Sequence, residues 1–282
     1  MLKLREDGVY AALVFFALAG IMTWSPVFAT ETLQIAGTGT AIGTMKMLAS
    51  AFEKTAPGVK VQVLPSIGSS GGIKAVAKGA IDIGLISRAL KEEESKLGLS
   101  VTEYAKTPFI LVVGENISIA GLSSGALAKI FRNEMQTWPN GEPVRLIMRP
   151  ETEADTLLAK SISHEMSWAV DAALSREGML VALTDQDCIQ MLEKTPGAIG
   201  FSTLTQVVAE KRRLKILSLD GEFPVVKSRI NGSYPFFKTL SLVTKSEPSR
   251  TVRRFIDFVL SERGRHILVE SGNLPLVHSS GQ

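Results

Sequence analysis

The sequence predicts an α/β protein of two lobes with a ligand cleft between them. From about residue 31, short apolar runs of period two alternate with runs of helical period, which is typical of parallel sheets with helices packed on them. The pattern restarts after Gly114, which indicates a second lobe. Gly-rich segments follow the first two strands, and open α/β sheets bind ligands at the carboxyl ends of their strands.

The composition excludes several classes of function. Of the 282 residues, 45% are hydrophobic and 21% are charged, so the chain is an ordinary globular one. A net charge of +3 from 31 basic and 28 acidic residues does not indicate a nucleic-acid partner. The single cysteine, Cys188, excludes an intrachain disulfide and a multi-cysteine metal site. No His/carboxylate spacing indicates a catalytic metal, and the sequence predicts no cofactor.

The N-terminal 29 residues have the three parts of a secretory signal peptide. Lys3 and Arg5 precede an apolar stretch over residues 9–22, and residues 27–29 carry small side chains at −3 and −1 before Thr30. The alternative is an uncleaved membrane anchor, but a membrane-spanning helix needs about 20 apolar residues and the stretch at 9–22 is shorter. We therefore expect cleavage before Thr30 and a mature protein in the periplasm.

The elements of the first lobe follow from hydrophobic spacing. Met45, Leu48, Ala49 and Phe52 lie on one helical face, and Pro57-Gly58 ends that helix. Val59, Val61 and Val63 alternate with polar residues as a strand. The strands are predicted at 33–36, 59–63 and 81–86, with a short helix through Ile73, Val76 and Ala77 after the second of them.

Beyond residue 107 the same reasoning predicts a further apolar strand and then a second set of elements. The further strand is expected at 108–113. The second set has helices at 124–131 and over much of 156–192, and strands at 144–148 and 198–202. Near the end of the chain, a strand at 239–244 and a closing helix through residues 252–260 are expected.

Two Gly-rich segments are candidates for an anion site. Gly68-Ser69-Ser70-Gly71-Gly72 is a loop that opens into a helix, where free N–H groups and the hydroxyls of Ser69 and Ser70 attract an anion. The alternative is that Ser69 or Ser70 only caps the helix. Gly37-Thr38-Gly39-Thr40 repeats the design after the first strand, and this repetition favours the anion site.

Two arginines lie at strand ends near these segments. Arg149 precedes Pro150, and its guanidinium can pair with two ligand oxygens at once. Arg88 follows the strand at 81–86 in a similar way. For either residue the alternative is a solvated surface charge.

A hydrolase is an alternative, because residues 68–72 and 121–125 both fit the G-x-S-x-G pattern of a nucleophilic serine. The pattern is short and Gly/Ser-rich loops satisfy it easily. His164, His266 and His278 are the candidate bases, and nothing near them in the sequence supports a catalytic role.

Several segments together resemble one family. They are Ile35-Ala-Gly-Thr-Gly-Thr-Ala-Ile42, Ile67-Gly-Ser-Ser-Gly-Gly-Ile-Lys74, Ile81-Asp-Ile-Gly-Leu-Ile-Ser-Arg-Ala-Leu90, Thr195-Pro-Gly-Ala-Ile-Gly-Phe201 and the closing helix. The chain is similar to the periplasmic phosphate-binding proteins of ABC transporters, within the two-lobed solute-binding protein superfamily. The resemblance implies lobe 1 at 30–114 and 232–282, and lobe 2 at 115–231.

The resemblance also implies a ligand site. It places the family's first-loop hydroxyl on Thr40, the next backbone N–H on Ala41, the second-loop serine on Ser69 and the arginine on Arg149. Where some members carry a proton-accepting Asp, this chain has Ser87.

The segment after Arg149 departs from the family. Members usually carry a Ser-Gly-Thr element there, whereas this chain has Glu153 and Asp155 near the Ser and Thr positions. A carboxylate accepts a proton only from a protonated oxygen and repels a bare one, so one carboxylate would favour monohydrogen phosphate over sulfate. Two would make the site too negative for a dianion unless one points away.

The predicted function is capture of inorganic phosphate, or a related oxyanion, for an inner-membrane ABC permease, by a protein that is a monomer and not an enzyme. The alternatives are a different small ligand, an extracytoplasmic phosphatase, or a solute-binding sensor protein.

Overall fold

The computed structural model of this chain describes residues 30–277. The predicted signal peptide, residues 1–29, lies outside the described residues, as does His278. Within the described range, no helix is both long and apolar enough to cross a membrane.

Strands and helices alternate along the described chain. The strands are β1 Glu31–Gly37, β2 Val59–Val63, β3 Ile83–Ile86, β4 Leu99–Gly114, β5 Gly121–Leu122, β6 Arg145–Met148, β7 Leu180–Val181, β8 Ala198–Thr203, β9 Leu214–Leu219, β10 Val225–Val226, β11 Arg229–Ile230, β12 Phe237–Lys245 and β13 Leu274–Pro275. The helices are α1 Gly39–Glu53, α2 Gly68–Ala77, α3 Glu92–Ser95, α4 Ser124–Phe131, α5 Ala154–Lys160, α6 His164–Leu174, α7 Asp185–Lys194, α8 Leu204–Ala209, α9 Arg250–Leu260 and α10 Glu262–Glu270.

The main sheet has parallel strands at both ends and antiparallel strands in its middle. Its order is β2-β1-β3-β12-β4-β8-β6-β7, with β9 and β13 also paired to β4 and β5 paired to β9. β1 runs parallel to β2 and β3, and β6 runs parallel to β7 and β8. β12 and β4 pair with each other and with their other neighbours in antiparallel fashion. The α/β prediction is confirmed.

Two large hydrophobic cores lie on this sheet. In the first, α1 and α9 pack on β1–β3, and the ring of Phe52 meets that of Phe255 edge-on at 5.2 Å. In the second, α4 and α6 pack on β6 and β8, and Phe109 stacks on Phe201 at 4.6 Å. The long strand β4 takes part in both, with Tyr104 in the first core and Phe109 in the second.

The Gly-Ser-Ser-Gly-Gly segment differs from the prediction, because it is not a loop before the helix. It forms the first turn of α2, which begins at Gly68. Gly72 explains how the helix start fits there, since a Cβ on this residue would lie 3.1 Å from the Cα of Gly37 at the end of β1. The absence of a side chain at Gly72 lets α2 pack directly against the end of β1.

Two helical predictions differ in part from the structure. The helix predicted through residues 252–260 is confirmed as α9, but it is not the last one, because a further helix, α10, follows it. Ser261 separates the two, because its hydroxyl accepts a hydrogen bond from the N–H of Gly264 and so caps α10. The stretch predicted as mostly helical over 156–192 contains the short strand β7.

Candidate anion-binding site

Four charged side chains are buried together where β6 and β12 meet the starts of α5 and α7. Arg149 is 6% exposed, Asp155 7%, Asp185 8% and Lys238 4%. Charged groups are buried to this extent when they are paired, because an isolated ion loses too much hydration energy. Their formal charges sum to zero.

Lys238 joins β12 to both neighbouring elements. Its Nζ donates a hydrogen bond to Oδ1 of Asp155, in the first turn of α5. The same group lies 3.4 Å from Oγ1 of Thr40, in the first turn of α1. The ammonium group therefore reaches both a carboxylate and a hydroxyl that the sequence predicted as ligand contacts.

Arg149 is aligned by the backbone and lies beside both carboxylates. Its Nη1 donates to the carbonyl oxygen of Ala182 at 2.6 Å, and its Nη2 lies 3.7 Å from Oδ1 of Asp185. Its Nε is buried with no hydrogen-bond partner among the described residues, and Oδ2 of Asp155 is 3.8 Å away. One guanidinium donor thus remains unused next to the carboxylates.

Asp185 interacts with the N-terminal end of α1. Its Oδ2 accepts hydrogen bonds from the backbone N–H of Thr40 at 3.0 Å and from Oγ1 of Thr38 at 3.1 Å. A helix start carries unpaired N–H groups and partial positive charge, so it is a site that attracts anions. The anion held there in this structure is a side chain of the protein itself.

The electrostatics of the cluster favour the charged forms of Asp185 and Lys238. Burial raises the pKa of the Asp185 carboxyl, but Lys238, Arg149 and the hydrogen bonds from Thr40 and Thr38 lower it by more, so the pKa lies below its ordinary value. Burial lowers the pKa of Lys238, whereas Asp155 and Asp185 raise it by more. These residues therefore remain ionised at neutral pH.

The space left beside this cluster is small. A cavity of about 10 Å³ adjoins Arg149 and Asp155, with Cys188 and Phe201 in its wall. That is about the volume that a single water molecule requires on the same measure. A tetrahedral oxyanion would therefore enter only with movement of the surrounding side chains.

Several predicted ligand residues border the cluster. The hydroxyls of Ser87 and Thr38 are 3.1 Å apart, and the N–H of Ser87 donates to Oγ of Ser69 at 3.3 Å. Ala41 is buried in the first turn of α1, and its N–H donates to the carbonyl oxygen of Thr38 at 3.3 Å. Thr40, Ser87, Ser69, Arg149 and Asp155 are thus linked directly or through Thr38 and Asp185.

Ser70 and Arg88 form a different cluster. Arg88 donates to both carboxylate oxygens of Glu94, each at 2.7 Å, and to Oγ of Ser70 at 2.7 Å. The hydrogen bond from Arg88 is the largest influence on Glu94 and, against the effect of burial, lowers its pKa to about 2. Arg88 is therefore engaged in an internal ion pair. The sequence interpretations of this residue were a ligand contact and a solvated surface charge, and the ion pair is neither.

Glu153 lies at the rim. Its side chain is 41% exposed, and its Oε2 is 3.3 Å from Nη2 of Arg149. Of the two carboxylates that the resemblance places near the ligand, Asp155 is buried and Glu153 is partly exposed.

Sequence reasoning missed Thr38, Asp185 and Lys238. Thr38 is one residue of a Gly-rich segment with no signal of its own, and Asp185 lies in a segment predicted as helix. For Lys238 the sequence contains a signal, namely a lysine directly before a mostly apolar predicted strand. If such a strand lies in the middle of a sheet, as this one does, the lysine is buried and needs a charged partner. Among residues 30–277, no cluster of three or more His, Cys, Asp or Glu side chains is arranged to hold a metal ion.

Comparison with known proteins gives relatives along most of the chain. Residues 27–263 match the model of the PBP superfamily domain. The Phosphate-binding protein PstS of Borreliella burgdorferi is 29% identical over 220 residues, which are 73% of this chain and 77% of that protein. The Phosphate-binding protein PstS of Bacillus subtilis is 24% identical over 255 residues, covering 88% and 82% of the two chains.

A solved structure has the same fold. It is a Clostridium perfringens substrate-binding protein, assigned to a phosphate ABC transporter and solved with bound phosphate. It is 23% identical in sequence, superimposes with a TM-score of 0.73, and the match covers 88% of this chain and 100% of that one. The likeness confirms the predicted fold class, that of two-lobed periplasmic binding proteins.

Proposed function

This chain belongs to the PBP superfamily, and on that basis we propose that it is an exported solute-binding protein that captures inorganic phosphate for an inner-membrane ABC permease. Its relatives in Borreliella burgdorferi and Bacillus subtilis are named phosphate-binding proteins, and the similarity extends over most of their length. The buried cluster around Arg149 has the chemistry that such a ligand requires.

The observation that carries the proposal is the meeting of Arg149, Lys238 and the start of α1 at one buried point. A guanidinium, an ammonium group and a backbone N–H at a helix start are the donors that bind oxyanions. Lys238 lies within 3.4 Å of Thr40 Oγ1, and the N–H of Thr40 is already engaged by a carboxylate, so this position accepts negative charge.

Asp155 supports phosphate over sulfate. Monohydrogen phosphate carries a proton that a carboxylate can accept, whereas sulfate presents only bare oxygens at neutral pH. The partial exposure of Glu153 leaves Asp155 as the buried carboxylate of the segment 150–155, and Lys238 compensates its charge. This segment therefore adds no uncompensated buried negative charge to the site.

The ligand would be enclosed by closure of two lobes about a hinge. We assign residues 30–114 and 232–282 to lobe 1 and residues 115–231 to lobe 2. The division of β4 between the two cores supports a crossing within that strand, but favours one between Tyr104 and Phe109, a few residues before the predicted boundary at Gly114. Thr40 and Lys238 would then face Arg149 and Asp155 across the cleft.

A phosphatase is not favoured by the described residues. The side chain of His266 is 73% exposed and pairs with Glu270 at 3.2 Å, and His164 packs against Trp168 at the surface. Ser123, in the other G-x-S-x-G match, caps α4 by accepting a hydrogen bond from Ala126. We propose a monomeric binding protein without enzymatic activity.

The test is calorimetry on the exported protein after it has been unfolded, stripped of ligand and refolded. We expect heat on titration with phosphate across pH 6–8 and weaker binding of sulfate. No heat with phosphate over this range would overturn the proposal. Hydrolysis of p-nitrophenyl phosphate by the same preparation would favour the phosphatase, and unchanged phosphate uptake in cells lacking the protein would favour a sensor.

The export part of the proposal has its own measurement. Intact mass of the exported protein should correspond to a chain that begins at Thr30. A mass that includes Met1 or a lipid adduct would contradict cleavage by signal peptidase at this position.

A further inference from the structure

The first two residues of α7 reach across to the start of α1. The carboxylate of Asp185 accepts hydrogen bonds from Thr40 N–H and Thr38 Oγ1, and Nε2 of Gln186 donates to the carbonyl oxygen of Gly39 at 3.0 Å. In the lobe assignment above, these contacts join lobe 2 to lobe 1. They close the cleft at the point where the ligand is proposed to bind.

Asp185 is not required to cap its own helix. The hydroxyl of Thr184 accepts a hydrogen bond from Asp187 N–H at 3.0 Å, and the Asp187 carboxylate accepts one from Thr184 N–H at 3.1 Å. This reciprocal pair is a complete capping box for α7. The Asp185 carboxylate is therefore free to serve the N-terminal end of a different helix, 145 residues earlier in the chain.

The groups that hold Asp185 are those proposed to hold phosphate. They are the N–H of Thr40, which donates a hydrogen bond, and the positive charges of Arg149, 3.7 Å away, and Lys238. A single backbone N–H cannot serve two anions, and an aspartate beside a bound dianion would repel it. The carboxylate and the ligand therefore exclude one another at this position.

We propose that the Asp185 carboxylate competes with the ligand for the anion position. It occupies this position when no phosphate is bound, holds the cleft closed as a latch, and must be displaced before phosphate binds. This inference rests on the proposed function. When Asp185 leaves, the cluster loses one negative charge and becomes net positive, so displacement prepares the site for an anion. If the latch occupies the site for 90–99% of the time, the apparent Kd for phosphate is raised roughly 10- to 100-fold.

The test compares Asp185→Asn and Asp185→Ala with the wild type, using Asp257→Asn as the matched control. Asp257 is an exposed residue of α9, so its substitution removes the same charge from a surface position. Calorimetry should give a Kd for phosphate about 10- to 100-fold lower for the two Asp185 variants and an unchanged Kd for the control. Gln186→Ala removes the neighbouring hydrogen bond to Gly39, together with one to Glu210, but leaves the Asp185 carboxylate in place, so it should shift the Kd in the same direction by less.

A second measurement does not depend on phosphate. Small-angle scattering of the ligand-free proteins should give a larger radius of gyration for Asp185→Ala than for the wild type. Saturating phosphate should return the variant to the wild-type value, because the ligand then closes the cleft in place of the carboxylate.

The outcomes separate the latch from the proposed function. If a folded Asp185→Asn variant binds phosphate as weakly as the wild type, or more weakly, the latch is overturned and phosphate capture stands. If no variant binds phosphate but Asp185→Ala expands, phosphate is the wrong ligand and the latch is supported. Neither heat nor expansion would overturn both. Gln186→Ala supplies the comparison if the Asp185 variants fail to fold.

Discussion

The ammonium group of Lys238 donates a hydrogen bond to the carboxylate of Asp155, and both side chains are buried although 83 residues separate them in the sequence. This pair compensates the one buried carboxylate of the segment 150–155 that follows Arg149. It leaves Arg149 and Asp185 to balance one another. The cluster is therefore neutral as a whole, and removal of any one member leaves an uncompensated buried charge.

Lys238→Met should abolish high-affinity phosphate binding and destabilise the fold. Breaking a buried pair by removing one partner costs about 3–5 kcal/mol, because Asp155 is left charged and without its partner. Calorimetry and urea unfolding measure the two effects. Lys245→Met is the control, since Lys245 is exposed at the end of the same strand. Wild-type affinity in Lys238→Met would contradict a role for this residue in the site.

Arg149→Ala should weaken phosphate binding far more than Arg88→Ala. Loss of a buried charge that pairs with a ligand costs about 2–5 kcal/mol, or roughly 30- to several-thousand-fold in Kd. Arg88 is held by Glu94 and Ser70, so its removal should reduce stability and change the Kd for phosphate little. Equal effects of the two substitutions on the Kd would show that Arg149 is not a ligand contact.

Glu153→Gln should loosen discrimination against sulfate. A neutral amide no longer repels a bare oxygen, so the Kd for sulfate should fall while the Kd for phosphate changes little. The effect should be smaller than that of Arg149→Ala, because the Glu153 side chain is 41% exposed and water screens its charge. Glu151→Gln, which alters a more exposed carboxylate two residues earlier, is the control. An unchanged sulfate-to-phosphate ratio of Kd values would contradict the prediction.

The free energy of unfolding should fall as the pH is lowered, and protonation of Glu94 should account for part of this loss. Its pKa is about 2 in the folded protein against an ordinary 4.5, so the unfolded chain binds more protons between these values. The contribution of the Arg88–Glu94 pair is therefore fully present above about pH 4.5 and is lost as the pH falls toward 2. Asp185, whose pKa is also lowered, adds a loss of the same sign. In urea unfolding at a series of pH values, Glu94→Gln should show a flatter dependence below pH 4.5 than the wild type. Parallel curves would show that the pair does not contribute.

The Cys188 thiol should be protected in the native protein. Burial raises its pKa to about 12, and only 3% of the residue is exposed. Since the thiolate is the reactive form, its population at pH 8 is roughly a thousandfold below that of a free cysteine. Reaction with a disulfide reagent such as DTNB should be slow for the folded protein and rapid in denaturant. Rapid labelling of the folded protein would show that α7 opens readily.

The sequence by itself determined most of the local structure. The spacing of Met45, Leu48, Ala49 and Phe52 predicted the buried face of α1, and all four residues are buried there. The alternation of Val59, Val61 and Val63 predicted β2. These patterns predict local structure because the helix and strand periods place residues of the matching spacing on one face, whatever that face packs against. Where the local signal was weak, as in Gly68-Ser69-Ser70-Gly71-Gly72, the sequence could not distinguish a loop from a first helical turn.

The tertiary structure alone decided the composition of the candidate site. Arg149 and Thr40 were identified from motifs, but Thr38 and Asp185 meet across 147 residues, and Lys238 and Thr40 across 198. No period or motif in a single sequence relates residues so far apart. Their proximity depends on the strand order, which inserts β12 between β3 and β4 and so carries Lys238 to the centre of the sheet. Burial at that centre causes Lys238 to pair with the two aspartates, because buried charges lose their hydration and are stabilised by opposite charges. In water the same groups would remain apart and solvated.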